Sequence, residues 1–382
     1  MKRNKNFSIL NLLAAIINVP VALLLLAAYM ADYVSPDKSV LFAFAGLAYP
    51  YLLMLNLVFA VYWLVQMRRL FLVSLVVIII GIPALSRYYQ YGGNLEPVPQ
   101  GRPTLKVMSY NVQLFGRYHL DSAGDKSLHT EYRDTMFQFM SDLHPDLLCI
   151  QEFSHQAKNF PTIPMMREKL PWMKYCYPVW RTRNPDHYNG NAIYSRFPIL
   201  NGGAVGFSTM LDNRSAMFAD IMVGDDTVRI YNIHLQSVQF QKEDYDFARR
   251  VTTAGGTENG GEAEEFSSGS MRMFAKLRSA YLVRCIQVDS IVNHIDSSPY
   301  PVIVCGDFND TPWSYTYHQF RKRLKDAQAH SGRGRGNTFV LNRMLRFRID
   351  YIFYDKSLEN YEHTVVRKRA SDHFPIYTNI GW

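Results

Sequence analysis

The chain has 382 residues, 48% apolar and 14% aromatic, with a net charge of +8. This composition excludes a disordered polyelectrolyte and leaves room for one large domain or two ordinary ones. Residues 1–86 carry Lys2, Arg3, Lys5, Lys38, Arg68 and Arg69 against Asp32 and Asp37, so the remainder holds only +4, and charge alone does not indicate a nucleic-acid-binding surface.

Phe7 to Ala31 and Ser39 to Met67 contain no charged residue, and each exceeds the ~20 residues needed to cross a bilayer. Leu70 to Ser86 is shorter, near the lower limit of about 17. Three transmembrane helices in a membrane domain of residues 1–87 are the simplest expectation. Pro20 and Pro83 are tolerable within such helices. Basic residues before the first helix and at Arg68–Arg69 put those ends in the cytoplasm. Three crossings then place the rest of a multi-pass protein on the extracytoplasmic side. Gly92, Gly93, Pro97, Pro99 and Pro103 mark residues 88–103 as a linker.

Residues 104–382 read as one catalytic domain. Strand candidates alternate with helical stretches: Leu105–Asn111, a helix around Tyr132–Leu143, Asp146–Glu152 and Gly190–Arg196. Ala216–Val223 and Thr227–Leu235 form a predicted hairpin about Gly224. Gln239–Ser270, rich in Gly, Ser, Thr and Glu, reads as a mobile loop, followed by a helix from about Met271 to His294. The expected class is α/β, two packed β-sheets flanked by helices. Among the cysteines, Cys149 and Cys305 lie in apolar runs and read as small buried hydrophobes, while Cys176 and Cys285 show no partner pattern; none has zinc-site spacing.

The most informative stretch is Pro301–Pro312. An apolar, β-branched run stops at Gly306 and is followed by Asp307 and Asn309. Two residues apart, these share a face if the pleat persists. A carboxylate there can orient water or hold a metal, and an amide can hold a phosphoryl oxygen; the plain alternative is an Asx turn. The same layout, a polar and chemically capable residue in or after an apolar run, recurs at Asn111, Glu152, His234, Asp350 and Asp372–His373. Buried polar groups are costly unless paired, so six such placements point to a shared site.

Taken in order, Tyr110–Asn111, Gln151–Glu152, Asn232-Ile233-His234, Gly306-Asp307-Phe308-Asn309, Arg348-Ile349-Asp350-Tyr351 and Ser371-Asp372-His373 resemble the endonuclease/exonuclease/phosphatase superfamily. The resemblance covers about residues 104–380 and implies the four-layer fold of deoxyribonuclease I; nothing in it covers residues 1–100. It implies that Glu152, with Asn111 and Asp372, holds Mg²⁺, with Mn²⁺ as the alternative. It implies that Asp307 orients or deprotonates the attacking water. Asn309, Asn111 and His234 contact phosphoryl or leaving-group oxygens, and His373, fixed by Asp350, stabilises phosphoryl charge or acts as acid/base. The implied activity is hydrolysis of a phosphodiester or phosphomonoester in nucleic acid or in a phospholipid or sphingolipid headgroup; the apolar segments of residues 1–87, an addition to the family pattern, would anchor it to a lipid bilayer. A basic run, Arg321, Lys322, Arg323 and Lys325 with Arg333 and Arg335, could serve a nuclease, but the modest +4 of this domain favours a solvated helix face and a mobile loop. The alternative from another class is a catalytically inactive membrane-bound scaffold on the same fold.

Overall fold

The computed structural model describes residues 8–92, 101, 103–117, 130–184, 187–207, 216–241, 243–244, 246–247, 261–340 and 345–382. The chain divides into two units, Met1–Tyr88 with Thr311–His318, and Tyr89–Asp310 with Gln319–Trp382.

In the first unit, α1 (Ile9–Met30) is long and apolar enough to cross a membrane. Its N-terminus is capped by the Ser8 hydroxyl, which accepts from Asn11 N–H. The second apolar stretch is not one straight helix. It breaks into α2 (Val40–Leu47) and α3 (Tyr49–Val65), bent by 66° where Pro50 starts α3 without an N–H to continue the ladder. The third, α4 (Phe71–Leu85), has 15 residues. At ~1.5 Å per residue it falls short of a hydrocarbon core about 30 Å thick. The expectation of three spanning helices is therefore corrected to one, or two if the bent pair acts as one span, and the extracytoplasmic placement drawn from three crossings loses its basis. Inside this unit the polar groups face each other. Asn18 Nδ2 donates to Ser74 Oγ at 2.7 Å, Trp63 Nε1 donates to Asn18 Oδ1 at 3.0 Å, and Asn56 Nδ2 donates to the carbonyls of Val21 and Leu52. Trp313 packs with Tyr49, ring centroids 4.2 Å apart, and Asp32 pairs with Arg87.

The second unit is built on two mixed sheets. One has the order β13 (Glu359–Val365), β14 (Ile376–Gly381), β1 (Thr104–Asn111), β2 (Leu147–Gln156), β4 (His187–Ser195), β3 (Tyr175–Asn184). The other has β5 (Ile199–Ala204), β6 (Ala216–Val223), β7 (Asp226–His234), β8 (Val302–Asp307), β12 (Asp350–Tyr354), β9 (Lys325–Asp326). A short hairpin pairs β10 (Phe339–Val340) with β11 (Arg346–Phe347). Period-two alternation explains the layers. In β1 and β2, Leu105, Val107, Leu147 and Cys149 turn inward against Met217, Ile230, Ile303, Cys305 and Ile352 of the other sheet. Met108, Tyr110, Leu148 and Ile150 turn outward onto Met136, Phe137 and Met140 of helix α5 (Thr130–Leu143), in a cluster that includes Met166 of α6 (Thr162–Lys169). At ~1.5–3 kcal/mol per buried large aliphatic side chain, these two apolar layers supply the main driving force that fixes the strand ends.

The hairpin about Gly224 and the helix before β2 occur as expected, within two residues. The loop expectation for Gln239–Ser270 is corrected over its last part. Gly261–Asp296 is one helix, α7, and the ring of Phe247 occupies the space that a side chain on Gly269 would need. Residues 248–260, most of the linker 93–102 and residues 341–344 lie outside the described residues. Helix α7 covers the outer face of the second sheet, where Tyr231 Oη meets His294 Nδ1 at 2.7 Å. Cys149, Cys285 and Cys305 are buried, Cys176 is exposed, and all four are free.

Candidate active site

The parallel pairs β1–β2 and β7–β8 end at the same rim of the sandwich. In the second sheet His234, Asp307 and Asp350 are register partners on three adjacent strands. In the first, Asn111 stands opposite Gln151, one residue before Glu152. Two backbone irregularities aim these side chains. Gly306 has φ +145°, and a Cβ there would lie 1.9 Å from the Ile233 carbonyl oxygen, so only glycine lets β8 pass β7 and present Asp307. Glu152 does not end its strand as expected; it sits in a bulge of β2, at φ +53°, with its N–H on Asn191 Oδ1 at 3.4 Å.

The side chains then converge. Asn111 Nδ2 donates to Asp307 Oδ2 at 3.1 Å and to Glu152 Oε1 at 3.4 Å. Its Oδ1 accepts the Gln113 N–H at 3.0 Å, which turns the nitrogen toward the carboxylates. His234 Nε2 lies 3.7 Å from Glu152 Oε1 and 3.8 Å from Asp307 Oδ2, and is buried with no hydrogen-bond partner among the described residues. His373 Nδ1 bonds Asp350 Oδ2 at 2.9 Å, while its Nε2 faces Asp307 Oδ2 at 3.7 Å. Asp372 sits beside them, its Oδ1 accepting from Ser371 Oγ. Asn309 closes the Asx turn, its N–H on Asp307 Oδ1 at 2.8 Å; its side-chain amide donates to the Leu235 carbonyl. The turn and the chemical arrangement thus coexist, and the Asn309 amide nitrogen is directed at backbone.

Electrostatics follow from this crowding. Burial raises Asp307 to about 6, with His373 and His234 opposing and Asp350 reinforcing the rise. Burial alone would lower His373, but Asp350 and Asp307 outweigh it and hold the imidazole protonated well above its usual range. Burial lowers His234, so it is neutral. A lone pair on its Nε2 would face two carboxylates, so that nitrogen carries the proton and presents an unsatisfied N–H to the cleft. Glu152 is raised, first by burial and then by the Asp372 carboxylate.

Two oxygen sets could hold a cation. Ligand atoms of Asp307, Asp350 and His373 lie within 4.8 Å of one another, and hydrogen bonds between Asp350 and His373 and from Asn309 and Asn111 to Asp307 already engage several of their polar atoms. Glu152, with a side chain one-third exposed, and the neighbouring Asp372 form an open pair of mutually repelling carboxylates. That pair fits a hard divalent cation, whose charge relieves the repulsion and which keeps waters on its open side.

Several groups received no role in the sequence reading, although Gln151 and Asn232 lie within its matched segments. Gln151 and Asn232, both fully buried, join the sheets through a 2.7 Å bond, and Asn232 Nδ2 also donates to the carbonyls of Ile150 and Ala192. Thr338 Oγ1 accepts the N–H groups of Ile349 and Asp350. Arg284 of α7 clamps the carbonyls of Gln236 and Asn309. The only sequence sign was the polarity of residues flanking the apolar runs.

Residues 108–373 match the model of the Endonuclease/Exonuclease/phosphatase family. The chain belongs to that family. Its members are hydrolases of phosphate esters that use divalent metal ions. Residues 9–88 match a domain of unknown function (DUF8431). No curated protein matches the sequence. Similar solved structures include an endonuclease/exonuclease/phosphatase from Beutenbergia cavernae (17% identity, covering 73% of this chain and 72% of that one, TM-score 0.49). Others are the human Nocturnin catalytic domain with bound sulfate (19%, 73% and 95%, 0.49) and a family protein from Leptotrichia buccalis (17%, 73% and 100%, 0.48).

Proposed function

We propose that the second unit hydrolyses phosphodiester bonds by in-line water attack, with Glu152 and Asp372 holding a Mg²⁺ or Mn²⁺ ion. One observation carries this reading. The His234 Nε2–H is buried and unsatisfied among the described residues, 3.7 Å from Glu152 Oε1 and 3.8 Å from Asp307 Oδ2, and a phosphoryl oxygen entering beside them would complete its hydrogen bonding. The cation, when bound, supplies charge neutralisation at the phosphoryl oxygens.

The chain's own residues do the remainder. Asp307, fixed through one oxygen by the Asn309 N–H and through the other by Asn111, accepts the proton of the attacking water; a value of about 6 suits a base working near neutrality. His373, kept protonated by Asp350, donates from Nε2 to the charge that builds on the phosphoryl group or the departing oxygen. His234 orients the phosphoryl group, while the Asn111 amide holds the Asp307 and Glu152 carboxylates in place. Asn309 acts by shaping the turn. The substrate is nucleic acid or a lipid headgroup.

The first unit supports membrane association. Its polar side chains point at one another while apolar ones point outward: Ile16, Ile17, Val58, Ile79 and Ile80 are each more than half exposed. A water-soluble bundle shows the reverse; lipid-facing helices show this pattern.

The test is hydrolysis of bis-p-nitrophenyl phosphate by the full chain in detergent. Turnover should require Mg²⁺ or Mn²⁺, stop with EDTA and fall at least 100-fold in Glu152→Gln. Metal-independent turnover, or none under any condition, contradicts the proposal.

A further inference from the structure

The topology places two groups of cations on opposite flanks of the reaction centre. β3 and β13 both run parallel to β1 and β2, so all four point their C-terminal ends at the same rim. Each flanking strand lies two strands from the centre, about 10 Å away at ~4.8 Å per strand.

On the β3 side stands Arg181. Pairing between β3 and β4 shifts between Trp180 and Thr182, leaving Arg181 as the extra residue of a bulge. Pairing between β2 and β4 shifts at Glu152, and the two bulges meet β4 at adjacent residues, Gly190 and Asn191. Gly190 makes this fit: a Cβ there would lie 2.1 Å from the Val179 carbonyl oxygen. Arg181 is exposed, and its positive charge reaches both Glu152 and His234.

On the β13 side, the chain leaves Val365 and enters Arg367-Lys368-Arg369, all exposed, four to six residues before His373. Arg346 of β11 is close enough for its charge to act on Arg367. The hairpin carrying Arg346 is tied to the centre, since Phe339 bridges His373 with rings 5.0 Å apart, and Arg367 Nη1 donates to the Asn337 carbonyl. Among the described residues no acidic side chain forms an ion pair with Arg346, Arg367, Lys368 or Arg369. Glu362 of β13 takes the Tyr377 hydroxyl and the Asn379 amide instead. By contrast, in the basic run 321–325, Arg323 is bidentate to Asp296 and Lys325 bonds a carbonyl, consistent with a solvated helix face.

We propose that Arg181 and the Arg346/Arg367–Arg369 group are auxiliary anion-binding positions on either side of the scissile phosphate, selecting a linear polyanion such as a single-stranded polyphosphodiester over a substrate with one phosphate. The inference rests on the phosphodiesterase reading only for the location of the scissile group. Binding tests it without turnover.

Anisotropy of a labelled 12-nucleotide single strand would be followed with the full chain in detergent and EDTA. Arg181→Gln should weaken binding about 5- to 10-fold and Arg367→Gln/Lys368→Gln/Arg369→Gln more, each lost contact lowering the slope of log K against log salt by about 0.7. Lys322→Gln, on the solvated helix, should change affinity less than 2-fold. Equal affinity for wild type and both variants, or a loss in Lys322→Gln as large as in Arg181→Gln, overturns the proposal. So does a wild type that ignores the strand but binds soluble inositol bisphosphate through Arg181, which would replace the linear polyanion with a compact headgroup. Hydrolysis of bis-p-nitrophenyl phosphate by the same preparation reports separately on the phosphodiesterase reading.

Discussion

Asp350→Asn isolates the role of the buried carboxylate behind His373. Both residues are about 95% buried, and the Oδ2–Nδ1 distance is 2.9 Å. The amide oxygen of asparagine can still accept from Nδ1–H, so the ring keeps its position, and the Asp350 N–H keeps Thr338 Oγ1. What disappears is the nearest negative charge, leaving Asp307 at 3.7 Å and the adjoining Asp372 to act on the imidazole. A hydrogen bond to a charged partner contributes ~1.5–3 kcal/mol. Expressed only while His373 carries its proton, that becomes a 10- to 150-fold fall in kcat at ~1.4 kcal/mol per decade. KM should change little, because the lost charge never touches substrate. The assay is steady-state hydrolysis of bis-p-nitrophenyl phosphate, with thermal unfolding confirming an intact fold. A kcat within 2-fold of wild type in a folded variant refutes the proposed Asp350–His373 relay.

Other outcomes follow from the same coordinates. Gly306→Ala places a methyl against the Ile233 carbonyl at a φ that alanine avoids, and urea denaturation should show a loss of about 3 kcal/mol or more, or no folded protein. Burial lowers His363 to about 4, below the ~6.5 of an unfolded chain, so the unfolded state takes its proton first as pH falls. Stability present above pH ~6.5 should then decline by about 3 kcal/mol down to pH ~4, and His363→Gln should flatten that part of the profile. Asp244, lowered to about 2 against its burial by the Gln241 N–H and then by Lys276 and Arg272, keeps its contribution to lower pH and loses it between about 4 and 2; Asp244→Asn should remove that acid step from a urea-denaturation series. Replacing both Ile16 and Val58 with Lys puts two charges on the outward apolar face at ~2.5–3.5 kcal/mol each if that face meets lipid, and flotation with vesicles should be lost; unchanged flotation contradicts membrane association through this face.

Much of the second unit was legible because its strands obey strict alternation. Val107, Leu147, Cys149 and Ile303 announced the inner layer, and Asn111, His234, Asp307, Asp350 and His373 broke the apolar pattern where strands end. Glu152 and Arg181 were harder. A bulge adds one residue and reverses which face the next one takes, so the period-two rule misplaces everything after it. Gly306 was visible as a strand terminator and Gly190 as the start of a strand, but the backbone oxygens that exclude a side chain come from other strands. Gly269, with Ser267 and Ser268, suggested a loop by composition, yet Phe247 packs where its side chain would be and the helix continues through it. In the first unit hydropathy located the apolar segments correctly and overcounted the spans, because it does not register the bend at Pro50.

The most direct measurement of the central claim is the single-turnover rate of phosphodiester hydrolysis by Asp307→Asn with saturating Mg²⁺. Asparagine preserves the size of the side chain and can keep the Asn309 N–H contact, but it cannot accept the proton of the attacking water. The rate should fall by a factor of at least 100, a loss near 3 kcal/mol in transition-state stabilisation. A folded variant that turns over as fast as the parent would show that water is activated elsewhere, and the arrangement at these strand ends would then have no catalytic role.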